Sequence, residues 1–308
     1  SPLDQRSADI RFFDSAGLQI DKRAERKLEN LLFREDFRRA AFYEMGDIEY
    51  GEPVPGYTAH LLKSIDKDII RNALFRVLID YDYSDASAVL PMILNELGVT
   101  TIPLNAGMRE GTHHSTVPDE TALISKTVRA DVGCMIRPTA ERITIIDEKG
   151  VVLTPHECLA ILASWLMRSS PGTVLAPAAT PMWISDLVRE EGGTFSATPG
   201  DPPSVLRASS VIGTSMASDG DGGFAWPTHL GAFDAMDTLV KLPELRAKVG
   251  RPLSQAREEL QQQPYIHATT GCTVAANGRG MRTLLDRHST DHRDPARPTY
   301  PGAECLTV

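Results

Sequence analysis

The stretch Ala130–Gly150, "ADVGCMIRPTAERITIIDEKG", decides the fold. Val132–Ile136 is a short continuous apolar run, as a strand covered on both faces requires, and "ITIID" at Ile143–Asp147 is a second strand. "IRPTAER" joins them as a tight loop, and "EKG" turns the chain back into "VVL" as a hairpin. The loop carries arginine, proline and threonine.

Working outward, "RVLID" at Arg76–Asp80 is another continuous apolar strand. It is followed by the helix "SDASAVLPMILNELG" closed by Gly98, the strand "TTIPL", and a helix over about Asp119–Arg129. Short strands alternating with helices imply parallel pairs covered on both faces. Upstream, a helix is predicted over about Asp21–Tyr43, capped by Asp21 and with a Glu35–Arg39 pair, before the link "GEPVPG" and a shorter helix. Downstream, "TPHE" is a capping box with Thr154 as cap, Pro155 at the first position and Glu157 reaching back. It opens the helix of "CLAILASWLM". Strand "TVLAP", helix "PMWISDLVREE", strand "TFSAT", a short helix, strand "SVIGTS", the loop "DGDGGFAW" and helices broken at Pro243 complete a second α/β unit. The segment after His288 has no apolar periodicity and is expected to lack order.

Composition narrows the function. The 308 residues are 42% hydrophobic and 24% charged, the balance of a soluble protein, and no apolar run reaches the roughly 20 residues that span a bilayer. With 41 acids against 32 bases, the net charge of −9 argues against a nucleic-acid partner. Four separated cysteines without a Cys-x-x-Cys pair suggest neither zinc nor disulfides, and a cytoplasmic location. No secretory signal is visible, and the start at Ser1 suggests processing or excision from a longer chain.

Neither a phosphate loop nor a dinucleotide glycine fingerprint nor a Gly-x-Ser-x-Gly elbow occurs. Asp80, Asp82 and Asp85 at a strand-to-helix junction are read as caps rather than metal ligands. His113 and His114 are read as an exposed loop, and His156 as part of the capping box. "SDGDGGFAWP" at Ser218–Pro227 is either a glycine-rich hairpin turn or a loop whose Asp219 and Asp221 accept hydrogen bonds from sugar hydroxyls.

The segment "RADVGCMIRPTAERITIIDEKGVVLT" resembles the end of the second domain of the α-D-phosphohexomutases, which include phosphomannomutase and phosphoglucomutase. Ala130, Asp131, Gly133, Ala140, Arg142, Asp147, Glu148 and Gly150 match in register. "ASDGDG" resembles the third-domain sugar loop Gly-Gly-Glu-x-Ser-Gly, with Asp219 at the glutamate position. "CTVAANGRGMR" is similar to the start of the fourth domain. "IRFFD", "REDFRRA", "VLIDY" and "GRGMR" together resemble the mutase-like region fused to mannose-1-phosphate guanylyltransferase-type proteins.

The resemblance implies an α/β fold of two tandem three-layer α/β/α domains with an N-terminal helical segment. The implied division is 1–74 as a helical remnant of domain 1 and linker, 75–153 as domain 2, 154–264 as domain 3, and 265–308 as a stub of domain 4 and tail. In the family three aspartates hold Mg²⁺ beside a phosphoserine. Here those positions are Arg137, Thr139 and Glu141, whose charges sum to zero, and Pro138 replaces a glycine. The serine loop Thr-Ala-Ser-His-Asn-Pro and the Arg-x-Ser-Gly-Thr-Glu clamp occur nowhere in the chain.

The implied module is degenerate, with no catalytic residue, no metal and no cofactor, and is structural or sugar-phosphate-sensing. A weakly bound hexose phosphate would meet Arg142, Asp219, Asp221, Gly222 and Gly223, although Asp221 adds a negative charge with no metal to offset it. Flanking domains of a longer polypeptide are the other expected partners; a homo-oligomer is left open. The rivals are an active phosphomannomutase whose nucleophile domain lies elsewhere, and an unrelated α/β binding protein.

Overall fold

The computed structural model describes residues 10–35, 41, 43, 46–47, 50–107 and 117–260. A turn closed by the Phe13–Gln19 bridge leads into α1 (Lys22–Phe33), α2 (Pro53–Lys63) and α3 (Lys67–Ala73). The first α/β unit runs β1 (Arg76–Asp80), α4 (Ala86–Glu96), β2 (Thr100–Leu104), α5 (Pro118–Thr127), β3 (Val132–Ile136) and β4 (Ile143–Ile146). After α6 (Pro155–Ser169) come β5 (Thr173–Pro177), α7 (Met182–Glu190), β6 (Thr194–Thr198), α8 (Pro202–Ile212), β7 (Met216–Ser218) and β8 (Phe224–Ala225). Helices α9 (Ala235–Val249) and α10 (Leu253–Glu258) follow.

The two units share one topology. Their sheets run β2-β1-β3-β4 and β6-β5-β7-β8, with three parallel strands and an antiparallel fourth in each. Chain crossovers step first to one side of the central strand and then to the other. Right-handed connections of that kind put the two crossover helices on opposite faces of the sheet. The expected α/β architecture is therefore present in duplicate.

Burial explains the strand sequences. Val77, Leu78 and Ile79 of β1 and every residue of β3 are buried, which is why these runs are continuous rather than alternating. Helix α6 is buried from Cys158 to Met167, and each large apolar side chain among these contributes roughly 1.5–3 kcal/mol. One cluster of buried residues extends from Leu61 on α2 through α6 to Leu253 on α10, so both sheets share a continuous core.

Local expectations fare unevenly. The capping box is present, with Thr154 Oγ1 accepting from Glu157 N (3.2 Å) and Glu157 Oε2 accepting from Thr154 N (2.7 Å). Asp21 caps α1 as expected, but that helix stops at Phe33, where Arg34 caps it and Glu35 turns left-handed (φ 52°). Arg39, the expected partner of Glu35, lies outside the described residues, as do His113, His114 and everything after Leu260. The expected strand "SVIGTS" is wrong. Val211 and Ile212 end α8, which Asp201 caps and left-handed Gly213 terminates, and the strand is Met216–Ser218 instead. Nor does Pro243 break the last helix. Helix α9 continues through it, because burial of Leu239, Val240, Leu242 and Leu245 outweighs the roughly 3 kcal/mol that an interior proline costs. Beyond the "EKG" turn, pairing is a single bridge from Ile146 to Val152 rather than a full strand.

Candidate functional site

The shared topology places two equivalent tight loops, 137–142 between β3 and β4 and 219–223 between β7 and β8, at the carboxyl ends of buried parallel strands. The loops touch. Arg142 and Gly223 form an antiparallel bridge, and Ile143 N donates to Gly222 O at 3.0 Å.

Loop 137–142 is a closed turn. Arg137 N donates to Arg142 O (3.0 Å), Ala140 N donates to Arg137 O (2.8 Å), and Ala140 sits at φ 57°. Its carbonyl is held in turn by Ala235 N (2.9 Å) at the start of α9. In loop 219–223, Asp219 acts as an internal brace. Its Oδ1 accepts from Asp221 N and Gly223 N, both at 2.8 Å, and its side chain is only 2% exposed. Gly222 has a specific reason to be glycine. It lies at φ 86°, and a Cβ there would fall 2.8 Å from Ile143 O.

The side chains join the loops electrostatically. Arg142 Nε donates to Asp219 Oδ2 at 2.7 Å and lies 3.6 Å from Asp221 Oδ2, while Arg137 Nη2 lies 3.9 Å from Asp221 Oδ1. The structure thus brings all five expected ligand residues together. It also supplies what the sequence seemed to lack, because two guanidiniums offset Asp221. Asp219, however, is already occupied by Arg142 and by its own loop.

A cleft of about 320 Å³ opens beside this clasp. Glu141, Arg142 and Asp219 form one wall, Asp201 and Phe233 another, and Arg11, Phe13 and Lys22 of the N-terminal segment the third. Arg11 pairs with Glu141. Arg207 of α8 docks the N-terminal turn by donating to Asp14 Oδ2 (3.1 Å) and Gln19 O (3.2 Å). Lys22 makes no ion pair among the described residues. Sequence reasoning missed this third wall, since nothing local in "RFFDS" or "DKRAE" marks a cleft.

The donor set does not suit Mg²⁺, the metal that the resemblance implied. Of its three positions Arg137 is cationic, Thr139 is exposed, and Glu141 is paired to Arg11. Hard divalent cations need several converging oxygens, and among the described residues no three His, Cys, Asp or Glu side chains converge. Asp80, for its part, accepts from Asp82 N (3.0 Å), Asn105 Nδ2 and Thr121 Oγ1 (both 2.9 Å).

The chain has relatives over most of its length. A phosphoglucomutase/phosphomannomutase of Thermococcus kodakarensis is 26% identical over 260 residues, covering 82% of this chain and 57% of its own. A phosphoglucosamine mutase of Nitratidesulfovibrio vulgaris is 26% identical over 265 residues, covering 83% and 59%. The chain is similar to phosphohexomutases over most of its length. A solved phosphoglucomutase/phosphomannomutase family protein of Burkholderia thailandensis shares the fold. It superposes with a TM-score of 0.67 at 17% identity, covering 80% of this chain and 54% of the other. No protein-family model matches. This phosphohexomutase-like chain spans less than two thirds of the length of those relatives. Among the described residues no helix is long and apolar enough to cross a membrane.

Proposed function

We propose that this chain is a catalytically degenerate phosphohexomutase-like module of carbohydrate metabolism. It would act as a structural or sugar-phosphate-sensing part of a mannose-1-phosphate guanylyltransferase-type protein. One observation carries the degeneracy. Where the family's metal loop needs carboxylates, this loop holds Arg137, Thr139 and Glu141, and Arg137 faces Asp221 of the other loop while Arg142, which matches the family, holds Asp219. Phosphoryl transfer relies on positioning and charge neutralisation, and a loop committed to an internal ion pair offers a phosphoryl group neither metal nor nucleophile.

The cleft beside the clasp supports the sensing role. Its volume lies at the lower end of the range for small-molecule sites. Lys22 and Arg142 line it and could meet a phosphate. Because Asp219 is already engaged, binding is expected near millimolar, about −4 kcal/mol.

Two measurements test this. Conversion between hexose 1- and 6-phosphates, assayed with a hexose 1,6-bisphosphate activator, should be absent with or without Mg²⁺; turnover would favour the active-mutase reading that the relatives' names suggest. Titration with mannose 1-phosphate should move the amide resonances of Arg142 and Asp219, which line the cleft, and those of Gly222 and Gly223 beside them. If all four stay still at saturation, sensing is excluded and the structural role is left.

A further inference from the structure

Outside the cleft, a partly buried polar network lies between α2 and the segment joining β8 to α9. Tyr57, His60 and Ser64 are spaced i, i+3 and i+7, so one face of α2 presents them together. Tyr57 OH donates to Asp234 Oδ2 at 2.8 Å, and His60 Nε2 lies 2.7 Å from His229 O. A carbonyl only accepts, so His60 carries its proton on Nε2. Ser64 Oγ donates to Leu61 O at 2.7 Å, so its 3.2 Å contact with His229 Nδ1 must be one it accepts. His229 Nδ1–H is therefore shared between Ser64 and Asp237, which stands 3.1 Å away. Both partners use the same ring nitrogen, so the cluster is not the relay of a serine hydrolase, which needs one partner on each nitrogen.

Asp234 is the node. Its Oδ1 accepts from Met236 N (2.8 Å) and Asp237 N (3.0 Å), capping α9. Its own N donates to Phe224 O (3.0 Å) in the strand that leaves loop 219–223. The next residue, Ala235, donates to Ala140 O in loop 137–142. Both loops of the cleft are thus one backbone hydrogen bond, or one short strand, away from the carboxylate that Tyr57 holds.

We propose that Tyr57 and Asp234 are positioning residues, through which helix α2 sets the mutual placement of loops 137–142 and 219–223. Neither touches the cleft; both act through backbone contacts. The inference does not depend on a ligand entering the cleft, so failure of the sensing role leaves it standing. Burial raises the Asp234 carboxyl above its ordinary pKa, and the Tyr57 hydrogen bond opposes that rise, so the carboxyl also reports on the contact. The groups facing it are Tyr57 from α2, Asp237 from α9 and the backbone amides of the cap.

The test uses the 308-residue chain carrying Tyr57→Phe, with Ser64→Ala as the control. In Tyr57→Phe, amide resonances of Ala235, Ala140, Arg142, Gly222 and Gly223 should shift, and exchange of the Ala235 N–H should accelerate at least about tenfold over that of α4. Ser64→Ala should move His229 and its neighbours while sparing Ala140. Confinement of the Tyr57→Phe shifts to Asp234, Met236 and Asp237 would overturn the proposal. So would faster exchange spread evenly over α4 and the cleft, the signature of general destabilisation. Should Tyr57→Phe not fold, Asp234→Ser replaces it; its hydroxyl keeps an acceptor for the cap but is too short to hold Tyr57, and it must move the same five amides.

Discussion

Replacing Arg142 by methionine isolates the clasp. The change keeps the aliphatic stem and removes the guanidinium from Asp219, a carboxylate that is 2% exposed. Breaking a fully buried ion pair costs about 3–5 kcal/mol, and losing a hydrogen bond to a charged group about 1.5–3. Arg142 is itself 31% exposed, so water can reach the vacated position, and the loss should fall near 2–3 kcal/mol. Asp219→Asn should cost about 2 kcal/mol, because Oδ1 keeps both loop amides while the new amide group meets the Nε–H donor head-on. In the double variant that conflict disappears, and the combined loss should be close to either single loss. The coupling energy is then about 2 kcal/mol. Urea unfolding of the four proteins at pH 7 measures it. A coupling below about 0.5 kcal/mol would refute the reasoning, since the pair would then behave like an exposed salt bridge of negligible worth.

Three further outcomes are expected. Gly222→Ala should destabilise by about 1–3 kcal/mol in urea unfolding, from its left-handed backbone and the 2.8 Å approach to Ile143 O; a change under 0.5 kcal/mol would mean that the loops do not abut. Asp234 has a folded pKa raised by burial, so its ionisation favours unfolding: the stability it contributes is complete below its unfolded pKa and is lost as pH rises through the folded value. Relative to Asp234→Asn, the parent should therefore lose stability as pH rises from about 3.5 to 7, and a constant difference between their urea midpoints would contradict the shift. Arg137→Asp with Thr139→Asp and Glu141→Asp should gain weak Mg²⁺ binding by calorimetry but no hexose-phosphate mutase turnover, and turnover would mean that a nucleophile has been overlooked.

What could be read in advance was whatever local chemistry settles. The buried strands around "VGCMI" and the Thr154 box are determined within a few residues, by unbroken hydrophobicity and by a short reciprocal hydrogen-bond pattern. Elements decided by tertiary burial escaped. Pro243 reads as a breaker until its helix is packed in the core, and "SVI" reads as a strand although Val211 is 83% exposed at a helix end. The site divides in the same way. Both loops could be picked out as turns, but the pairing of Arg142 with Asp219 spans 77 residues and has no local signal. The clue available was the opposite charge of the two loops, which becomes informative once both are known to be hairpins of equivalent units.

That equivalence bears on how loop 137–142 should be understood. Considered alone, it carries an exposed guanidinium, Arg137, and the other loop an exposed carboxylate, Asp221. Placed face to face by the duplicated topology, the two loops are complementary: positive charge on the first meets negative charge on the second at 2.7–3.9 Å. The guanidinium of Arg142 supplies, within the chain, a fixed positive charge for Asp219 and Asp221. It needs no metal for that contact, and it ties the second unit to the first. The contact has a structural consequence that the coupling measurement can detect without any ligand or turnover, which is why the clasp, rather than the cleft, is the part of this site to test first.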